Sequence, residues 1–116
     1  MRHIVDKFIY EHANCYLLVA DFGKFPLTRT TNRYIDVGLS ETLLVNVAIG
    51  LASAGFKVFI YSAGCFALYK AFETIKNNIN LQYWNKNKKL DITFINGGSG
   101  FVYYNFGITH HLYDDL

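Results

Sequence analysis

Between Thr42 and Tyr69 the chain carries a single charged residue, Lys57. A stretch that apolar either crosses a bilayer, which takes roughly 20 consecutive apolar residues, or is buried inside a folded domain. Asn46, Gly50, Ser53 and Gly55 interrupt it, and Gly55-Phe56-Lys57 reads as a turn. The segment therefore predicts a buried helix followed by a buried strand, with no membrane partner. Ser40 is placed to cap the helix and Glu41 opens it. Leu43, Leu44, Val47, Ala48, Leu51 and Ala52 recur at helical spacing, Val45 and Ile49 fill another face, and Gly55 supplies the stop. A helix apolar all round is expected to be buried all round.

The rest of the chain repeats the alternation. Tyr16-Leu17-Leu18-Val19-Ala20, closed by Asp21, has the length of a buried strand. Phe22 to Asn32 reads as a loop with one helical turn, and Tyr34-Ile35-Asp36-Val37 as a second strand ending at Gly38. Lys57-Val58-Phe59-Ile60-Tyr61 is the third strand, Phe66 to Asn78 an amphipathic helix, and Asp91-Ile92-Thr93-Phe94-Ile95-Asn96 the fourth strand. Buried strands alternating with helices predict an α/β fold: a three-layer α/β/α arrangement around a mostly parallel sheet, incomplete toward the C-terminus. Functional loops should then gather at the carboxyl ends of the strands, at Asp21, Gly38, Tyr61-Ser62 and Gly97-Gly98. Residues 1–116 form one domain, with a short N-terminal extension over about 1–14. An exposed sheet edge is expected after the fourth strand, near Asp114-Asp115-Leu116, and something should cover it.

Composition removes several classes of function. With 52% hydrophobic and 17% charged residues, the chain is neither disordered nor a coiled coil. A net charge of +2, with clustering only at Lys86, Lys88 and Lys89, gives no footprint for a nucleic acid. Those loop lysines read as a solvated face, with Trp84 covering the nearby sheet edge. Cys15 and Cys65 lack metal-ligand spacing and predict a reduced, cytoplasmic setting with no metal site of their own. Met1 to Lys7 is unlike a signal peptide.

Three motifs carry chemistry. Glu41 stands in the first turn of the apolar helix, either as a complement to the helix dipole or as a carboxylate held to exchange a proton with a ligand. Gly97-Gly98-Ser99-Gly100 resembles a phosphate cradle only weakly, lacking the lysine and hydroxyl of a Walker loop. Gly107-Ile108-Thr109-His110-His111 is a surface loop or a substrate-facing one.

Val19-Ala20-Asp21, Tyr34 to Glu41, Gly50-Leu51-Ala52 to Gly55, Lys70-Ala71-Phe72-Glu73-Thr74-Ile75 and Gly107 to His111 occur in a common order and spacing. In this they resemble the pyrimidine-binding domain of transketolase-like thiamine diphosphate enzymes, such as the C-terminal section of transketolase and deoxyxylulose-phosphate synthase. The resemblance runs from about Leu17 to Leu116. It implies that Glu41 is the catalytic glutamate that hydrogen-bonds the aminopyrimidine of thiamine diphosphate, that Phe66 stacks on that ring, that Tyr69 lines the same pocket, and that His110 faces the substrate. The family holds diphosphate and Mg²⁺ through a Gly-Asp-Gly motif on another domain, and no such string occurs here. A separate diphosphate-binding chain is thus implied as partner, in a dimer or heterotetramer, and two-carbon ketol or acyl transfer as the reaction.

Departures from the family pattern bear on specificity. Phe106 stands where an aspartate commonly reads a sugar hydroxyl, which argues against a sugar phosphate substrate. Thr42 replaces a His or Gln, and Ala63 a pocket phenylalanine. Two other readings stay open: a beta-type subunit of a 2-oxo acid dehydrogenase, and a non-catalytic remnant or interaction module of the same fold.

Overall fold

The computed structural model describes residues 1–86, 88–98 and 100–112, without the side chains of residues 85 and 86. Asn87, Ser99 of the glycine-rich turn and the Asp114-Asp115-Leu116 terminus lie outside the described residues, as does the side chain of Lys86. Four strands, β1 (Cys15–Val19), β2 (Tyr34–Asp36), β3 (Lys57–Ser62) and β4 (Ile92–Asn96), form one sheet in the order β2-β1-β3-β4. Every pairing is parallel, with Leu18 opposite Ile35 and Ile60, and Ile60 opposite Phe94. Strand alternation sends Leu18, Val58 and Ile60 to one face and Cys15, Leu17, Val19 and Tyr61 to the other, so the sheet has two cores.

The first core is covered by α2 (Glu41–Ser53), which seats Leu44, Val45, Ala48 and Ala52 against the sheet. Its C-terminus is a Schellman turn: Gly55, at φ +97°, donates to the Ala52 carbonyl, and Phe56 donates to that of Leu51. Two expectations for this helix need correction. Ser40 occupies the cap position, but its side chain makes no capping hydrogen bond. The helix is also not buried all round, because Leu43 is about half exposed and Asn46 and Gly50 face solvent.

The single helix expected over Phe66 to Asn78 is replaced by a longer, broken one: α3 (Gly64–Lys70), α4 (Phe72–Thr74), a π-helical turn over Ile75–Ile79 and α5 (Asn80–Lys86). The break falls at Ala71, fully buried in the first core. Trp84 is 83% exposed and so does not cover the sheet edge.

The second core is closed by α1 (Arg2–Glu11), formed by residues to which the sequence pattern assigned no element, and by Phe25 from the β1–β2 connection. Two polar devices hold α1 in place. Buried Asp6 accepts hydrogen bonds from the Leu27 and Thr28 amides (3.0 and 2.8 Å) and from the Thr28 hydroxyl (2.7 Å). The Arg33 guanidinium donates to the carbonyls of Ile9 and Tyr10 in the last turn of α1, of His12 at its cap and of Cys15 in β1, tying the helix end to the sheet. The result is three layers, α1 and the connection on one side and α2 to α5 on the other. Among the described residues no helix is long and apolar enough to cross a membrane.

Candidate functional site

The carboxyl ends of β1 and β3 lie side by side, and the chain leaves them in opposite directions, toward β2 and toward β4. In open parallel sheets such a divergence opens a crevice. A cavity of about 180 Å³ sits there, lined among others by Asp21, Glu41, Ser62, Phe66, Phe106 and His110. The strand ends supply Asp21 and Ser62, the first turn of α2 supplies Glu41, and the first turn of α3 supplies Phe66. Three of the residues singled out in the sequence, Glu41, Phe66 and His110, thus converge although they lie far apart along the chain.

Tyr69 does not line this cavity. It is 47% exposed, one helical turn beyond Phe66 and therefore about 4.5 Å further along α3 from the strand ends.

Glu41 is the buried charge of the site, only 5% exposed. Its Oε2 is 3.3 Å from Nζ of Lys70, at the other end of α3. The same ammonium lies over the ring of Phe66, 4.9 Å from its centre. The helices are tied further by the Thr42 hydroxyl, which reaches the Lys70 carbonyl at 3.5 Å. Cys65, buried beside them, has its thiol pushed up by burial; its own and the Phe66 backbone amides oppose that rise, the Glu41 charge adds to it, and the Lys70 charge opposes it.

His110 is delivered by the segment 100–112, a loop closed at its neck by reciprocal hydrogen bonds between Gly100 and Leu112 (3.1 and 3.3 Å). Leu112 is buried with Ala63 and Cys65, which fixes the loop to the head of α3. The His110 ring packs at right angles to Phe66, 5.0 Å between centres, and 5.1 Å from Phe106. Its Nδ1 is 3.0 Å from the Thr109 hydroxyl, which can donate to it.

The sequence reading named Asp21, Asp36 and Gly97 but not the contacts they make. Asp36 accepts hydrogen bonds from the Asp21 and Gly38 amides (2.9 and 3.0 Å), holding Asp21 at φ +49° on the cavity wall. Gly97 leaves room for Phe22 and Tyr61, whose rings occupy the space its Cβ would need. That accounts for Gly97 by aromatic packing, without a phosphate. The only advance signal for the Asp36 contact was its position two residues before Gly38.

A larger concavity, about 670 Å³, is lined by α5 and its flanks, with Ile79, Trp84, Lys76 and Lys88 among its walls. No carboxylate or histidine is among its described lining residues. Volume therefore favours that hollow, whereas chemistry favours the smaller one, and the smaller one holds the reactive groups. Among the described residues no group of three His, Cys, Asp or Glu is gathered to hold a metal.

No protein-family model matches the chain, and no curated protein matches it. The structure is similar to a solved one described as a split gene transketolase, an inactive beta4 tetramer, with a TM-score of 0.68 at 25% identity. The fold is transketolase-like. The match covers 86% of this chain and 33% of the other, so the chain spans about a third of that protein's length. Within this transketolase-like fold, the cavity holding Glu41 lies where the strand order diverges.

Proposed function

We propose that the chain, residues 1–116, is the pyrimidine-binding part of a split transketolase-like thiamine diphosphate enzyme, acting with a separate diphosphate-binding chain in two-carbon ketol or acyl transfer. The observation that carries this reading is the buried carboxylate of Glu41, set beside Phe66 and His110 in a transketolase-like fold.

The residues present suit one portion of the cofactor. A cavity of about 180 Å³ is smaller than the roughly 300–1,000 Å³ of pockets that enclose a whole ligand, which suits a single aromatic ring. The carboxyl group of Glu41 can hydrogen-bond a ring nitrogen and Phe66 offers an aromatic surface. The Gly-Asp-Gly string through which the resembled family holds diphosphate and Mg²⁺ does not occur in this sequence, so the partner chain would hold them. Exposed Leu39 and Phe106 at the cavity would give such a partner an apolar surface to cover.

When bound, thiamine diphosphate supplies the carbanion-stabilising chemistry. Glu41 would hydrogen-bond a ring nitrogen of the aminopyrimidine, a bond made strong by the shielding of its carboxyl from water. Phe66 fixes the plane of the ring. The Thr109 hydroxyl, 3.0 Å from Nδ1, would orient the His110 ring and leave Nε2 to face substrate. Phe106, tilted against His110, would offer an apolar contact where a hydroxylated substrate would need an acceptor.

The test is calorimetric titration of thiamine diphosphate with Mg²⁺ into the chain alone and mixed with a diphosphate-binding chain encoded beside it. Binding only in the mixture, with turnover reduced at least about 100-fold by Glu41→Gln, is expected. A folded, partner-associated chain that takes up no cofactor would refute the enzyme and leave a silent remnant of the fold.

A further inference from the structure

The pairing of Glu41 with Lys70 has a feature that a simple surface ion pair lacks. Glu41 is 5% exposed, whereas the Lys70 side chain is 57% exposed and reaches inward from the last turn of α3. Its ammonium engages one carboxylate oxygen, Oε2 at 3.3 Å, and caps the ring of Phe66 at 4.9 Å. One cation thus touches both the acid and the aromatic ring of the cavity wall, and no second cation pairs with Glu41 among the described residues. A carboxylate held by one oxygen has its rotamer fixed while the other oxygen stays available as an acceptor.

We propose that Lys70 is a positioning residue: by bridging the Glu41 carboxylate and the Phe66 ring it holds both in the arrangement that an aromatic nitrogen heterocycle requires. The proposal rests on the ring-binding reading of the cavity given above. Its rival is a placeholder role, in which Lys70 occupies the ligand's own hydrogen-bond position and must leave. The two roles differ in sign. Removing a positioning cation weakens ring binding, and removing a placeholder tightens it.

Lys70→Met keeps the stem and deletes the charge; Lys70→Arg keeps the charge. The first readout is binding of the free aminopyrimidine fragment of thiamine to the full chain, together with its partner chain if needed, followed by NMR. We expect Lys70→Met to weaken it by roughly fivefold to tenfold, less than the loss of a direct charge-assisted contact because Lys70 acts through Glu41 and Phe66, and Lys70→Arg to restore most of the loss. Unchanged or tighter binding in Lys70→Met overturns the proposal.

The second readout needs no ligand. The Cys65 thiol responds to the Glu41 charge, which raises its pKa, and to the Lys70 charge, which lowers it. Following the Cys65 Cβ resonance against pH, Lys70→Met should move its titration up and Glu41→Gln should move it down, while Glu41 side-chain couplings in Lys70→Met should change from one rotamer to an average. If the wild-type chain binds no aminopyrimidine, the ring-binding reading fails, and the couplings still decide the positioning role. Glu41 couplings identical in wild type and Lys70→Met would overturn it in that case too.

Discussion

Replacing Asp6 tests whether α1 is an integral layer of the fold. The carboxylate is 2% exposed and receives three donors, the amides of Leu27 and Thr28 and the Thr28 hydroxyl. In Asp6→Ala the hydroxyl keeps a partner, because it also donates to the Asp6 main-chain carbonyl at 3.0 Å. The two amides cannot turn away. Hydrogen bonds to a charged group contribute about 1.5–3 kcal/mol each; with some relief from water at the part-buried Leu27 amide, the expected loss is about 3–4 kcal/mol. That is a large share of the roughly 5–15 kcal/mol that holds a domain folded. Asp6→Asn keeps one oxygen for the Thr28 donors but turns an NH₂ toward the Leu27 amide, and the expected loss is about 1.5–3 kcal/mol. Urea unfolding followed by circular dichroism gives the order wild type, Asn, Ala, and hydrogen exchange should quicken first at Leu27 and Thr28. An Asn variant within about 0.5 kcal/mol of wild type, inside the ordinary range of surface changes, would refute the acceptor role.

Gly64→Ala is expected to cost about 1–3 kcal/mol, because the new Cβ would lie 2.8 Å from both Asn96 Cγ and Leu112 Cδ2. It also displaces the Asn96 oxygen that accepts the Gly64 amide at 2.7 Å, so exchange of the Gly100 and Leu112 amides should quicken and proteases should cut within 101–110. Unchanged exchange at the neck would show that the loop is held by other means. Burial raises the pKa of the Cys15 and Cys65 thiols and of the Tyr34 and Tyr61 phenols. Their folded values lie above their unfolded ones, so their contribution is complete below the unfolded values and is lost as pH rises through the folded ones. Unfolding free energies measured at stepwise higher pH should therefore decline from above about pH 8.5; a flat alkaline limb would contradict this.

The parts of the fold legible in the sequence were those whose stabilisation is local in pattern. Tyr16 to Ala20 and Lys57 to Tyr61 read as strands because both of their faces are covered, and α2 announced its end through Gly55. Helix α1 was not legible. Its anchors are Asp6 to Thr28 and Arg33 to the carbonyls of Ile9 to Cys15, contacts made across the chain, and Asp6 in isolation reads as one more surface charge. Likewise the break at Ala71 follows no glycine or proline. At the site, Glu41, Phe66 and His110 were nameable by resemblance and the structure brings them together. Lys70 appeared in a motif without any indication that it meets Glu41, since that meeting depends on how α3 crosses α2. Tyr69 shows the reverse: spacing alone could not tell which turn of α3 abuts the cavity.

The sheet order also bears on how the chain reaches its native state. The central pairing joins Cys15 to Lys57 and Val19 to Tyr61, and β2, made between them, must settle on the far edge of β1. Among the described residues no neighbouring strands are linked by a hairpin, so assembly of this sheet cannot begin from a local turn and zip outward. During synthesis β1 has no central partner until residues beyond Ser62 have been made, and its apolar edge waits through the whole of α2. Sheets closed only by distant pairings form slowly. The cavity around Glu41, whose wall includes Ser62 and Phe66, can form only after that interval.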